Sequence, residues 1–250
     1  MSGHSKWATI KRKKGAIDAK RGVAFTKCAK EITVAAKSGG GDPEGNARLR
    51  AAVLAAKAIN MPNANIDRAI KRGTGEIEGV SYEEVVYEGY GAGGVAVYVE
   101  ALTDKRTRTY PEIRKIFEKC AGTLGNNGSV AYLFEKKGIT VVSGEGQEED
   151  ALMELVLEAG ADDLEAQADG AFEITAGPSE HHQVIKALEE AGITTVSAQL
   201  SMIPSTTTAV EGKEAEQVLR LVSMLDDHDD VQNVWANFDI DEETMAAFDA

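Results

Sequence analysis

Residues 138–202 read GITVVSGEGQEEDALMELVLEAGADDLEAQADGAFEITAGPSEHHQVIKALEEAGITTVSAQLSM. The spacing of apolar residues alternates there between a period of two and a period near 3.6, and each switch marks a change of element. A strand over 139–142 leads into a helix over 148–158. Two strands follow, near 164–167 and 171–175, then a helix over 179–190 capped by Ser179, and a last strand over 194–202. The order βαββαβ is that of the ferredoxin-like split unit.

Working outward, neither flank closes a sheet alone. Upstream, Glu84–Glu88 and Val95–Leu102 read as strands around Gly89-Tyr90-Gly91-Ala92-Gly93-Gly94, followed by a helix over 109–119 and a strand over 129–134. Downstream come a helix over 213–225, a strand over 231–238 and a short acidic helix. Each flank supplies what the other lacks. The ferredoxin-like unit, 136–203, is therefore expected as an insertion in a discontinuous α/β domain formed by 77–135 plus 204–250. A serial arrangement is the alternative that periodicity leaves open.

The first 76 residues have a different character. Residues 1–15 form a cationic arm with a lone Trp7. A helix over 17–37 aligns Ile17, Ala24, Cys28, Ile32 and Ala35 on one face, with Lys20, Lys27, Lys30 and Lys37 as a second stripe, broken by Val23 and Val34. Ser38-Gly39-Gly40-Gly41 ends it. Asp42 as N-cap and Pro43 in the first turn predict a second helix running to Asn60. Asn63 caps a third, in which Ile66, Ala69 and Ile70 face inward, Arg68, Lys71 and Arg72 face out, and Gly73 ends the run. The fold class is thus α+β and multi-domain: an N-terminal three-helix bundle plus two ferredoxin-like α/β domains, one inserted in the other.

Charge divides along the same line. The chain carries 41 acidic and 27 basic residues, a net of −14, yet residues 1–75 hold 16 basic against 5 acidic and the remainder 11 against 36. A sign change this abrupt predicts two surfaces with different roles: nucleic acid for the basic part, and for the acidic one either a basic protein or a repulsion of phosphate that confines nucleic acid to the N-terminal domain. Lys6, Lys11, Arg12, Lys13, Lys14, Lys20, Arg21 and Lys27, with Arg68, Lys71 and Arg72, are the candidate phosphate contacts, since cations there release condensed counterions. Trp7 is either a stacking platform for an exposed base or a packing anchor. Arg106 and Arg108 either extend that footprint or form interdomain salt bridges.

Other chemistry finds little support. Cys28 and Cys120 make no metal-ligand spacing and read as packing residues. The glycine cluster lies between two strands and lacks the helix N-terminus a phosphate loop needs. His181 and His182 are adjacent and cannot share a helix face, and His228 among Asp226, Asp227, Asp229 and Asp230 reads as a solvated helix end. Nothing identifies an enzyme, and no cofactor, metal or small-molecule substrate is implied. With no transmembrane run and no secretory leader, the cytoplasm is the expected compartment.

Several short segments are similar to one known family. Gly3-His4-Ser5-Lys6-Trp7 with Ile10, Asn60-Met61-Pro62, 66–73, Gly89-Tyr90-Gly91, Thr103-Asp104 with Arg106 and Arg108-Thr109, 128–134, and Val231-Gln232-Asn233-Val234 resemble the YebC/PmpR family over essentially the whole chain. Ala92, Lys105, Thr107 and Trp235 depart from its usual pattern. The resemblance implies three domains and a cytoplasmic, non-enzymatic regulator. Members are described as DNA-binding transcriptional regulators. Others, including the mitochondrial translational activator of cytochrome c oxidase, resemble ribosome-associated factors that assist translation through proline-rich stretches. Two readings therefore stand, DNA and ribosomal RNA. A third reading is an enzyme or protein-interaction scaffold using an acidic interdomain cleft.

Overall fold

The computed structural model describes residues 18–167, 170–241 and 244–245. They divide into two compact units, one holding the chain up to Leu133 and from Thr206 onward, the other Phe134–Ser205. The fold is mixed α+β, with a three-helix bundle at the start of the described chain and one α/β unit inserted in another.

In the bundle, α1 (Asp18–Gly39) packs against α2 (Ala47–Ala58) and α3 (Asn63–Thr74). Of its stripe, Ile17 lies outside the described residues and Ala24 is half-buried, while Ile32 and Ala35 meet Leu49, Ala56, Ile66 and Ala69 in one core, with Cys28 packed at its edge. Gly73 does not end α3. It lies inside the helix where α3 crosses α1, and a methyl group there would overlap the Thr33 carbonyl oxygen and sit 2.7 Å from the Ala36 methyl. Glycine permits that crossing, and Thr33 adds to it by donating to the carbonyls of Ala29 at 2.8 Å and Ala69 at 3.1 Å. The helix stops at Gly75, which adopts a left-handed φ of 82°.

The second helix also starts later than its local signals suggest. Asp42 caps only a turn, accepting from the Glu44 amide at 3.0 Å. The working cap is Asn46, buried, whose Oδ1 accepts from the Leu49 amide at 3.0 Å while Nδ2 donates to the Ala35 and Gly40 carbonyls at 2.8 and 2.9 Å. One amide thus closes the start of α2 and the end of α1 together. Asn46→Ala removes the cap and takes a donor from the buried Ala35 carbonyl and the partly buried Gly40 carbonyl, so a loss of about 1–3 kcal/mol is expected in urea unfolding. A shift below about 0.5 kcal/mol would show that water replaces those bonds without cost.

In the same unit β1 (Glu83–Tyr90) and β2 (Ala96–Thr103) form the antiparallel hairpin around the glycine cluster. Helix α4 (Arg106–Lys119) leads to β3 (Thr123–Leu124), giving the sheet order β3-β1-β2-β9 once β9 (Val231–Ala236) returns beside β2. Residues 129–133 are not a strand: a 3-10 turn occupies 131–133, and the strand expected over 129–134 begins only at Phe134. The buried Glu88 carboxylate takes the amides of Gly128, Val130 and Ala131 at 2.7–2.8 Å, so the N–H groups a strand would pair are drawn to a side chain instead. Short β8 (Thr208–Ala209) and β10 (Phe238–Asp239) pair in parallel, and α7 (Gly212–Asp226) packs Val218, Leu219, Leu221 and Leu225 into the core with Phe117 and Ile113 of α4.

The inserted unit runs β4 (Phe134–Ser143), α5 (Glu149–Glu158), β5 (Ala161–Ala166), β6 (Ala171–Ala176), α6 (His181–Glu190) and β7 (Thr195–Pro204). Its sheet order β5-β6-β4-β7, antiparallel throughout, is the ferredoxin-like arrangement. Both helices cover one face, burying Leu152, Val156, Val184 and Leu188 on Val142, Phe172 and Ile174.

Candidate nucleic-acid interface

Of the candidate phosphate contacts, Lys6, Trp7, Lys11, Arg12, Lys13 and Lys14 lie outside the described residues. Lys20 and Arg21 belong to the first turn of α1, and their side chains are likewise outside the description. The remaining candidates separate into two sets with opposite roles.

Arg68, Lys71 and Arg72 form the open set. Spaced by three and four residues, they share one exposed face of α3, with Lys71 and Arg72 in its last turn, where the helix dipole favours cations. None of them makes an ion pair among the described residues. On α2, Lys57 is exposed and likewise makes none, whereas Arg48 bonds Glu31 at 2.7 Å and Glu84 at 2.6 Å; on α1, Lys37 donates to the Ser81 hydroxyl at 2.7 Å. Lys57 shows in the sequence only as a charge on an alanine-rich helix, with no motif to single it out.

The second set faces inward. Lys27 donates to the Asp226 carbonyl and stands 3.5 Å from its carboxylate. Lys30 is buried: its ammonium lies 2.5 Å from Asp230 Oδ1, donates to the Asp229 carbonyl at 2.9 Å, and sits 5.5 Å from the centre of the Tyr82 ring. The stripe Lys20–Lys27–Lys30–Lys37 is thus not a continuous solvent-facing surface, because α7 and the residues after it supply carbonyls and carboxylates against its middle.

Asp230 organises that junction. It is 2 % exposed, and its second oxygen accepts from Arg108 Nη2 at 2.8 Å and the Thr109 hydroxyl at 2.7 Å. With its proton on Asp230, Thr109 Oγ1 can accept from Thr103, 2.7 Å away, whose oxygen accepts from the Lys105 amide at 2.9 Å. Burial alone pushes the Asp230 carboxyl up, but the bonds from Lys30, Arg108 and Thr109 outweigh it and hold the group well below the ordinary carboxylate range. The same contacts push the Arg108 guanidinium up, Asp230 first and Asp104 second. Next to it, His228 Nδ1 accepts from the Asp230 amide at 3.1 Å, so its Nε2 carries the proton 3.2 Å from Glu112 Oε2. Within the Asp226–Asp230 run Asp227 and Asp229 are exposed, as a solvated helix end has them, but Asp230 is not. That last member is a buried bond acceptor.

Arg108 is accordingly a structural cation at the junction, while Arg106 is exposed, 4.0 Å from Glu83. Between α1, α4 and the turn after α7 lies an open cleft of about 690 Å3, lined by both signs of charge, including Lys30, Arg108, Lys115, Glu112 and Asp229. Among the described residues no group of three His, Cys, Asp or Glu is placed to hold a metal ion. In the inserted unit His181 is buried with Nε2 2.9 Å from the Thr140 hydroxyl, and burial lowers its pKa. It is a core histidine. Burial likewise raises the thiols of Cys28 and Cys120, against thiolate chemistry at either. Among the described residues no helix is long and apolar enough to cross a membrane.

Comparison with known proteins covers the same span. The model of the TACO1/YebC N-terminal domain matches residues 5–76, and that of the TACO1/YebC second and third domain matches residues 82–238. A probable transcriptional regulatory protein of Geobacter sulfurreducens is 58 % identical over 98 % of both chains, and one of Desulforapulum autotrophicum is 56 % identical over 99 % of this chain and all of its own. The crystal structure of a conserved hypothetical protein from Aquifex aeolicus superposes with a TM-score of 0.81 at 45 % identity, covering 90 % of this chain and 93 % of that one. On family models, relatives and fold alike, this chain belongs to the TACO1/YebC family.

Proposed function

We propose that the protein is a non-enzymatic, cytoplasmic regulator of gene expression that binds DNA through its basic N-terminal domain. The observation that carries this is the charge split, +11 over residues 1–75 against −25 over the rest, with the described cations of α3 left unpaired and exposed. In this reading 1–76 grips the phosphate backbone and the discontinuous domain, 77–135 plus 204–250, holds the bundle through Lys27 and Lys30. The acidic domains, including the insertion at 136–203, repel phosphate and confine nucleic acid to one end. The relatives' description as probable transcriptional regulatory proteins favours DNA as the polymer.

One feature favours a second reading, a translation factor on ribosomal RNA that relieves stalling at proline-rich stretches. The open cations run from the middle of α3 to its last turn, whereas a helix-turn-helix reads bases from the N-terminal residues of its recognition helix. Backbone recognition of structured RNA needs no such helix. Sedimentation of a cell lysate separates the two. The DNA reading expects the protein in ribosome-free fractions, and its binding to a promoter fragment surviving excess unrelated DNA at physiological salt. Co-sedimentation with ribosomes that is lost on charge reversal at Lys11–Lys14 would transfer the function to RNA. Affinity for both polymers that is insensitive to salt would remove the electrostatic basis of either.

A further inference from the structure

The two edges of the inserted sheet are built in opposite ways. Strand β5, at one edge, carries Asp162, Asp163 and Glu165 in six residues, all exposed. Charges of this kind blunt an edge against further pairing. Strand β7, at the other edge, is ten residues long and carries none, although residues 134–205 hold 3 basic and 15 acidic residues. A bulge at Val196 disturbs its start, and from Ser197 the register against β4 is regular. Thr195 to Leu200 are exposed or half-buried, with Val196 59 % and Leu200 46 % open to solvent, while Ser201 and Pro204 are covered. This unit therefore leaves one edge uncharged and reachable, with Val196 and Leu200 open on it, in a unit of net charge −12 in which Lys136 and Lys137 of the neighbouring β4 lie opposite Met202 and Ser201.

We propose that β7 is a docking edge, at which an extended cationic segment of a partner protein adds as a fifth strand. Backbone pairing would supply the geometry, and alternate apolar side chains of the segment would rest beside Ala198 and Leu200. The cations follow from charge. A segment laid along β7 lies within a unit of net charge −12, which attracts lysine and arginine. The same charge argues against a second copy of this chain, because pairing β7 with its own equivalent brings two such units together. This docking does not depend on the nucleic-acid reading, since it uses none of the N-terminal cations.

The test uses the full chain and three capped, fluorescent nine-residue peptides: alternating lysine and valine, alternating glutamate and valine, and the lysine–valine peptide N-methylated at every backbone amide, so that neither of its edges can donate. The expected result is binding of the first alone, with hydrogen-exchange protection gained at residues 195–200. Leu200→Lys should weaken it at least about tenfold, leaving the melting temperature and nucleic-acid binding unchanged; Val196→Lys serves if that variant folds poorly. Equal binding of the N-methylated peptide would overturn strand addition, since it keeps every charge and lacks the amides. Equal binding of the glutamate peptide would overturn the choice of a cationic partner. A concentration-dependent dimer in sedimentation velocity, dispersed by Leu200→Lys, would give the edge to a second copy instead.

Discussion

Asp230→Ala is expected to lower stability by about 3–5 kcal/mol, the range for breaking a buried ion pair by deleting one partner. The cost arises less from the lost attraction than from what stays behind. Lys30 keeps its ammonium in a buried site with backbone carbonyls and a tyrosine face but no counter-charge, and the Thr109 hydroxyl loses its acceptor. For a chain of this size the melting transition of the unit holding the bundle should fall by roughly 6–20 °C. Lys30→Met combined with Asp230→Ala should recover part of that loss, because it removes the stranded charge, and a coupling of about 0.5–3 kcal/mol is expected from the double-mutant cycle. If the double variant loses as much as the two singles added together, the pair is not what joins the bundle to the body.

The same carboxylate makes an acid limb predictable. Its folded pKa is depressed, so the stability it contributes is complete above the unfolded value near 3.9 and is lost as pH falls from there towards the folded value. Wild-type stability should therefore decline below about pH 4, with a contribution from this group of at most one proton, about 1.4 kcal/mol per pH unit. The gap between wild type and Asp230→Ala should narrow over the same range. A gap that stays constant down to about pH 2.5 would mean the carboxylate is not ion-paired in solution.

Sequence and structure agree where local pattern and tertiary demand coincide. The βαββαβ order is legible because each switch of period in 138–202 is also a switch of burial, and the sheet order follows from standard connections. Three features lay beyond reach for one common reason, a partner distant along the chain. Asp42-Pro43 is the better local start for α2, but Asn46 wins because it also bonds the carbonyls of Ala35 and Gly40. The pattern at 129–134 suits a strand, but Glu88, some forty residues earlier, takes its amides. Asp230 looks like one more solvated acid in a run of four, and only Lys30, 200 residues away, makes it a buried acceptor. For the candidate interface, a count of lysines reveals a basic domain without telling which cations are already engaged. Lys27 and Arg68 look alike in sequence, yet one is held by Asp226 and the other faces solvent.

That difference gives the other large expected effect. Neutralising the open set with Arg68→Gln, Lys71→Gln and Arg72→Gln together should weaken nucleic-acid binding by about 10²–10³-fold, taking roughly one to one and a half kcal/mol for each exposed cation–phosphate bond removed. The salt dependence is the sharper readout. Each phosphate neutralised on duplex DNA contributes about 0.9 to the slope of log affinity against log salt, and about 0.7 on a single strand. Removing three cations should therefore flatten the slope by about 2.7 on DNA and about 2.1 on a single strand, so the size of the change also reports on the polymer. Helix α3 should survive, since all three side chains are exposed and its buried face, Ile66 and Ala69, is untouched; the weakened dipole interaction costs only a few tenths of a kcal/mol per residue. Arg48→Gln is the matched control. Its guanidinium already bonds Glu31 and Glu84, whose carboxylates hold its pKa raised, and it should leave the slope unchanged. Equal flattening by Arg48→Gln and by the α3 variant would mean that nucleic acid senses the net charge of the domain and not the cations left open on α3.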